Sequence, residues 1–438
     1  MSEATERVWA SSALAWFRKR PAASAIAHTF AANVLIQAIN VGTGVLTARV
    51  LLPQGRGELA AIILWPQFLA YMLTLGLPTS LVYQVKRHAE ERSALVGTAL
   101  VLGLAMGVVA MAIGVLGIPL WLHQYPPAAI RQAQVLMALA PVGIVSILLL
   151  AACQANEDFL VYNLVRYLPP MLILVLMGVL ALSRRLDVAA AAWVYMLAGL
   201  PVFAWNLWWV RTHYQPRLRG WREASRRLLS YGMRAWGSDL LGTISGQLDR
   251  ILVVGLLVPA DMGLYVVAQS LAGLVALVPR AVIPVVFPRA SAQRGHAALR
   301  SVRDAALLAL VGMLVSALLL FLMGAFALRL VYGPEFAAAA AVFRLLLLQG
   351  VLSGLASVLT QALLASGRPG VVSLLQGLSL VTAAPLLVVL IPRFGLAGAG
   401  LALLLSAAVQ LVVVVVLFAR LWRQTATVML TRTTGIPM

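Results

Sequence analysis

Residues 51–61 read LLPQGRGELAA, and residues 257–267 read LVPADMGLYVV. A shift of 206 lays Pro53 on Pro259 and Gly57 on Gly263, and further along it lays Pro78 on Pro284. A second echo follows at nearly the same shift, where RRLDVAAAAW at 184–193 resembles RFGLAGAGLA at 393–402. Self-similarity at one long period marks a duplicated structural unit. The chain therefore reads as two copies of one half.

The medium around those halves follows from composition. The 438 residues are 62% hydrophobic and 11% charged, whereas soluble domains are about 45–50% apolar and about 25% charged. Apolar windows of roughly 20 residues, long enough to cross a bilayer as helices, recur from end to end. The short alternating segments of a membrane barrel are missing. This predicts an all-α polytopic membrane protein with twelve transmembrane helices, at 25–50, 59–85, 94–122, 133–153, 159–182, 188–210, 231–257, 261–288, 305–331, 337–365, 371–391 and 396–419. Six spans separate matching positions, so the halves run parallel and are related by a pseudo-twofold axis along the membrane normal. The expected architecture is two six-helix bundles around a central cavity. Its expected parts are an interfacial segment at 1–24, carrying Trp9, Trp16 and Phe17 beside Arg18, Lys19 and Arg20, then bundles at 25–210 and 231–419, a basic linker at 211–230 and a tail at 420–438.

The formal net charge of +19 would suggest nucleic acid in a soluble protein. Here it lies mostly in short loops beside the spans, where it sets orientation and attracts anionic lipid head groups, so phospholipid is the expected partner and nucleic acid is not. One set of loops carries 21 Lys/Arg and the other carries seven, namely Arg49, Arg56, Arg131, Arg184, Arg185, Arg329 and Arg393. The excess predicts that both termini are cytoplasmic. No predicted outward loop is long enough to house an enzyme active site. Cys153 has no second cysteine to pair with, and the histidines fall at no metal-ligand spacing, so neither a disulfide nor a metal site is expected.

Five arginines fall inside the predicted spans: Arg166, Arg234, Arg250, Arg280 and Arg344. An ionised residue at a helix centre costs about 2.5–3.5 kcal/mol on insertion scales, and a leucine returns only about 0.5. Tolerating several implies a bundle interior or a wet cavity. Arg234 lies near a span end, where it can snorkel. The first span carries Thr29, Asn33, Gln37, Asn40, Gly44 and Thr47 at steps of three or four, one polar stripe along a helix. Shifted by 206, Asn33 falls on Asp239 and Gly44 on Arg250. Both halves thus open with a helix polar along one face. The candidate cavity residues are Arg166, Arg250, Arg280, Arg344, Asn33, Gln37 and Asn40, with Asp239 and Asp249 as ion-coupling or salt-bridge partners. A structural reading competes with each: Asp239 pairing Arg280 as a salt bridge, and the Asn/Gln stripe as helix-to-helix glue. A positive cavity implies anionic cargo, and arginine suits phosphate because its planar fork bonds bidentately and stays charged.

TARVLLPQGRGELAAIILWPQFLAYMLTLGLPTSL, QLDRILVVGLLVPADMGLYVVAQSL, VVFPRASA, VYGPEFAAAAAVFRLLLLQGVLSGLASVLTQALLASGRPG and IPRFGLAGAGLALLLS resemble the O-antigen type polysaccharide flippases of the multidrug/oligosaccharidyl-lipid/polysaccharide exporter superfamily. The resemblance implies two six-helix bundles in a V. It also implies flipping of undecaprenyl-pyrophosphate-linked oligosaccharide by alternating access, with cavity arginines on the cargo, no covalent chemistry and no cofactor. Leu248–Asp249–Arg250 and Arg344 match positions where that pattern often carries charge. The resemblance further implies coupling to H+ or Na+ and contact with other polysaccharide-assembly proteins. The drug-exporting branch of the superfamily, which relies on membrane carboxylates, is the alternative: a cation-coupled multidrug exporter.

Overall fold

The computed structural model describes the chain over 21–293 and 295–434, and its side chains there except at 21–34, 238–243, 245–246, 287–289, 369 and 426–434. The expected interfacial aromatics Trp9, Trp16 and Phe17 lie outside the described residues, as do the side chains of Asn33 and Asp239. The described residues form helices and no strands. The first part of the chain contributes α1 (Pro21–Met72), α2 (Leu77–Arg87), α3 (Arg92–Trp121), α4 (Pro127–Leu136), α5 (Ala140–Ala155), α6 (Phe159–Leu182), α7 (Val188–Leu197) and α8 (Leu200–Tyr214). After α9 (Trp221–Leu256) come α10 (Pro259–Ala272), α11 (Leu277–Ala292), α12 (His296–Ala327), α13 (Ala340–Ala365) and α14 (Pro369–Thr434).

Nine helical runs among the described residues are long and apolar enough to cross a membrane. Two of these, Leu35–Arg87 with 53 residues and Gly370–Thr425 with 56, reach about 80 Å at 1.5 Å per residue, against a hydrocarbon core of about 30 Å. Each therefore crosses twice. The 36-residue α9, more charged than the others, is long enough for one more crossing, which leaves room for twelve spans in two bundles.

The double-length runs bend where local chemistry demands it. In α1 the bend is Leu52 (φ 59, ψ 177), immediately before Pro53. The proline ring bars its predecessor from the helical region, and the conformation that leucine adopts costs on the order of 1–3 kcal/mol. At the repeat-related position Val258 makes the same break with an unstrained extended backbone (φ −68, ψ 158), and Pro259 then opens α10. The bend in α14 falls at Gly395, whose φ of 55 suits the absence of a Cβ.

The two breaks meet. A Cβ on Gly57 would overlap the carbonyl of Pro259, and a Cβ on Gly263 would overlap the carbonyl of Pro53. The contact is reciprocal between repeat-related residues, as a pseudo-twofold axis through this point requires. Only glycine permits backbones to approach so closely. Beside this seam the Arg49 guanidinium donates to the carbonyls of Val331 (2.7 Å) and Leu330, across the two bundles. Those carbonyls belong to a π-helical turn, Leu328–Tyr332, in which the regular helical bonding is broken. The bundles are thus closed against each other on the face opposite the basic loops.

On the basic face α9 begins against the first bundle. Ser80 Oγ donates to the Leu228 carbonyl at 2.8 Å, Tyr83 and Tyr231 stack at 4.2 Å, and Arg227 pairs with Glu91 at 2.9 Å. The same helix ends among the residues of the second bundle, so α9 belongs to both.

Candidate functional site: a central cavity lined with arginine

Between the seam and the basic face lies a cavity of about 510 Å³, within the usual range for small-molecule sites. The 206-residue repeat is written into its wall. Val41 and Gln247, Arg56 and Met262, Ala60 and Val266, Ile63 and Gln269, Leu64 and Ser270, and Gln67 and Gly273 are repeat-related pairs, and all twelve line it. The two halves therefore present the same helix faces to one shared space.

Of the sequence-predicted site residues, Gln37, Asn40, Arg250 and Arg280 line this cavity together. Arg166 and Arg344 do not. Arg166 stacks over the ring of Tyr162 at 5.3 Å, one turn away on α6. Arg344 lies over the ring of Phe321 at 5.2 Å, on a solvent- or lipid-exposed face between α13 and α12. Asp249 is buried, 8% exposed, and makes no ion pair among the described residues. Its Oδ2 accepts from Tyr265 Oη and from Gln269 Nε2, both at 2.5 Å. It faces a second cavity of about 270 Å³ inside the second bundle, lined by Gln349, Ser353, Ser379, Ser406 and Gln410.

Arg56 is the residue that the loop count left out of the cavity set. The Leu52–Pro53 break reads in sequence as a loop, which sets Arg56 among the outward charges. In the structure the helix resumes at once, and Arg56 sits one turn past Pro53 at the closed end of the central cavity. It is 7% exposed, and its Nε and Nη1 are buried without a hydrogen-bond partner. Tyr332, from the turn that Arg49 grips, is within electrostatic reach of it. Arg250 is six residues before the end of α9, and Arg280 lies about 30 Å along the chain's rise from Pro259, toward the basic face. The three arginines thus run from the sealed end toward the mouth, and among the described residues no carboxylate lines this space with them. Such a cavity attracts oxyanions by charge and offers guanidinium forks to bind them.

The polar residues Gln67, Tyr71, Gln247 and Gln269 also line it and are not among the predicted cavity residues, although Gln247 breaks the apolar run of 238–258 beside Asp249 and Arg250. A signal was present: Arg56, Ala60, Ile63, Gln67 and Tyr71 recur at steps of three and four, a second helical stripe with polar ends.

The architecture has solved counterparts. A structure titled as the inward-facing conformation of a multidrug resistance MATE family transporter of the MOP superfamily matches with TM-score 0.74 at 16% identity, covering 89% of this chain and 96% of that one. The lipid II flippase MurJ in an inward closed conformation matches with TM-score 0.73 at 14% identity, covering 94% and 93%. An outward-facing MATE family structure at 16% identity, covering 94% and 97%, gives 0.60. Among curated protein sequences none matches the chain. A family model described as polysaccharide biosynthesis protein matches residues 23–294. A duplicated helical fold, an arginine-lined cavity between its halves and that match over more than half the chain lead to one conclusion: the chain belongs to the polysaccharide biosynthesis protein family.

Proposed function

We propose that the chain is a flippase for an undecaprenyl-pyrophosphate-linked oligosaccharide, which it moves from the cytoplasmic to the outer leaflet of the bacterial inner membrane for polysaccharide assembly. One observation carries this reading: the central cavity holds Arg56, Arg250 and Arg280 with no lining carboxylate among the described residues, and its far end is sealed by the Gly57–Gly263 seam. The basic loops make the open face cytoplasmic. The pyrophosphate enters there and engages the arginines, Gln37 and Asn40 face sugar hydroxyls, and the lipid tail stays in the bilayer. Opening the seam while closing the basic face then releases the head group outward. Cargo shifts the balance between the two states through its differential affinity for them. Coupling to H+ or Na+ falls to Asp249, the buried carboxylate of the second cavity.

The test is reconstitution of the full chain into vesicles containing a fluorescent short-chain isoprenyl-pyrophosphate glycan. Appearance of the glycan at the opposite leaflet is followed by quenching with a membrane-impermeant reductant. The wild type is expected to expose it, and an Arg250→Gln/Arg280→Gln double variant to slow exposure at least tenfold. Equal rates in protein-free vesicles, wild type and variant would overturn the reading. Asp249 also favours a second reading, a cation-coupled drug exporter. Raised drug tolerance in an expressing strain, with no glycan flipping, would select it.

A further inference from the structure

Among the described residues Gln269 is the one polar side chain that lines both cavities. Its amide has a fixed polarity. Nε2 donates to Asp249 Oδ2 at 2.5 Å, and Oε1 accepts from Arg250 Nε at 2.7 Å. A flipped amide would set its NH2 against the guanidinium and its oxygen against the carboxylate, so the chemistry of both partners enforces this orientation. Asp249 and Arg250 are chain neighbours, yet they make no ion pair and communicate through this amide.

The second cavity has the chemistry of a small-cation site. Both bonds to Asp249 fall on Oδ2, and no described residue bonds Oδ1. The rest of the described cavity wall is uncharged, and its serine hydroxyls and glutamine amides can supply neutral oxygens. Ser353 directs its proton to the Gly350 carbonyl, which leaves its lone pairs free, whereas Ser406 Oγ is bonded to Thr382 Oγ1 at 2.8 Å and to the Ser379 carbonyl. The groups facing Asp249 are Gln349 and Ser353 from α13, Ser379, Ser406 and Gln410 from α14, Tyr265 and Gln269 from α10, and Arg250 on its own helix. Hard monovalent cations take oxygen ligands of this kind.

We propose that Gln269 is a positioning residue that transmits the charge state of Asp249 to Arg250, holding the arginine back from cargo until a monovalent cation occupies the second cavity. This rests on the flippase reading above. With Asp249 bare, its charge holds the Gln269 NH2, and the amide oxygen holds the Arg250 Nε against the cavity wall. A cation on the carboxylate draws charge away from Oδ2 and loosens the amide. Arg250 is then free to turn both edges of its fork toward a phosphate. Cation and cargo thereby favour each other's binding, and by linkage the coupling is reciprocal.

The probe is geranyl pyrophosphate, titrated by calorimetry into the purified full-length chain, with sodium or choline as the only cation and at neutral or acid pH in choline. In wild type, sodium or acid is expected to tighten binding about tenfold, a factor within the usual range of coupling. The active arm identifies the cation as sodium or proton. In Gln269→Met, which keeps the length without the amide, affinity in choline at neutral pH is expected to rise to the cation-loaded wild-type level and to become independent of both. A glutamine with a merely structural role gives the opposite result, weaker binding in every condition. Tyr265→Phe removes the other donor to Oδ2 and leaves the relay, so its cation dependence is expected to persist. A full cation effect in Gln269→Met, weaker binding throughout, or no cation effect in wild type would each overturn the relay. No binding of the probe by wild type under any condition would overturn the flippase reading instead.

Discussion

Replacing Arg56 with methionine should make the protein more stable and abolish its transport. Arg56 is a guanidinium at 7% exposure, with two nitrogens that meet no acceptor. An unsatisfied buried donor costs about 1–3 kcal/mol, and more when charged. Exchange of buried charges for apolar side chains of similar volume typically returns about 1–4 kcal/mol. The structure therefore predicts about 2–4 kcal/mol of added stability for Arg56→Met. The assay is thermal unfolding of the purified chain in detergent, followed by the fluorescence of its 11 tryptophans. A second arm adds geranyl pyrophosphate. At a hundred times its Kd a ligand stabilises the folded state by about 2.7 kcal/mol, so the wild-type midpoint should climb toward that of the unliganded variant. The variant should respond weakly, having lost one of the three forks. A lower midpoint for Arg56→Met would show that the guanidinium is a structural element after all. Full flipping by the variant would show that the unmet donors do not await cargo.

Gly57→Ala should prevent the seam from closing, because its Cβ has no room beside the Pro259 carbonyl; flipping should fall at least tenfold, and a cysteine at Gln67 should become reactive to an outside thiol reagent while the buried native Cys153 stays silent. Arg250→Gln should weaken geranyl pyrophosphate binding at least tenfold by calorimetry, whereas Arg344→Gln, whose parent lies over Phe321 away from either cavity, should leave it unchanged. On the basic face, the Lys86 ammonium at 2.5 Å holds the Glu157 carboxyl below its ordinary value of 4.5. A depressed carboxyl contributes stability above its ordinary value and loses it as pH falls through the lowered one. Glu157→Gln should accordingly melt slightly below wild type at neutral pH and coincide with it at strongly acid pH, and the gap should close in high salt because the pair is exposed.

What could be read from sequence divides along physical lines. The halves, their shift and the polar first helix were legible because glycine, proline and helical period leave marks in the order of residues. Gln37, Asn40 and Arg250 follow from that period and line the cavity as a set. Arg344 shows where the method stops. Counting along a span gives depth, but azimuth depends on which neighbour the helix meets, and α13 turns this residue toward α12. Arg56 is missing from the predicted cavity set for a different reason. A Pro-Gln-Gly run has the signature of a loop, and only the backbone reveals that the helix restarts at once after Leu52. Gln269 is a lone amide in an apolar run, and its meaning lies entirely in two partners twenty and nineteen positions away.

The reciprocal seam of Gly57 and Gly263 also bears on ancestry. An isologous contact, in which a patch meets its own copy, is what a homodimer of single bundles makes. A chain of one bundle could close the same seam with its twin, and every residue lining the space between would then come in identical pairs. The present wall departs from that condition at Arg56 opposite Met262, Ile63 opposite Gln269 and Val41 opposite Gln247. Fusion into one chain is what allows such divergence, since a homodimer cannot carry a charge on one side only. The relay and the deepest arginine are thus the part of the cavity that a homodimer of identical bundles could not hold, one on each half, while the seam keeps a glycine on both sides.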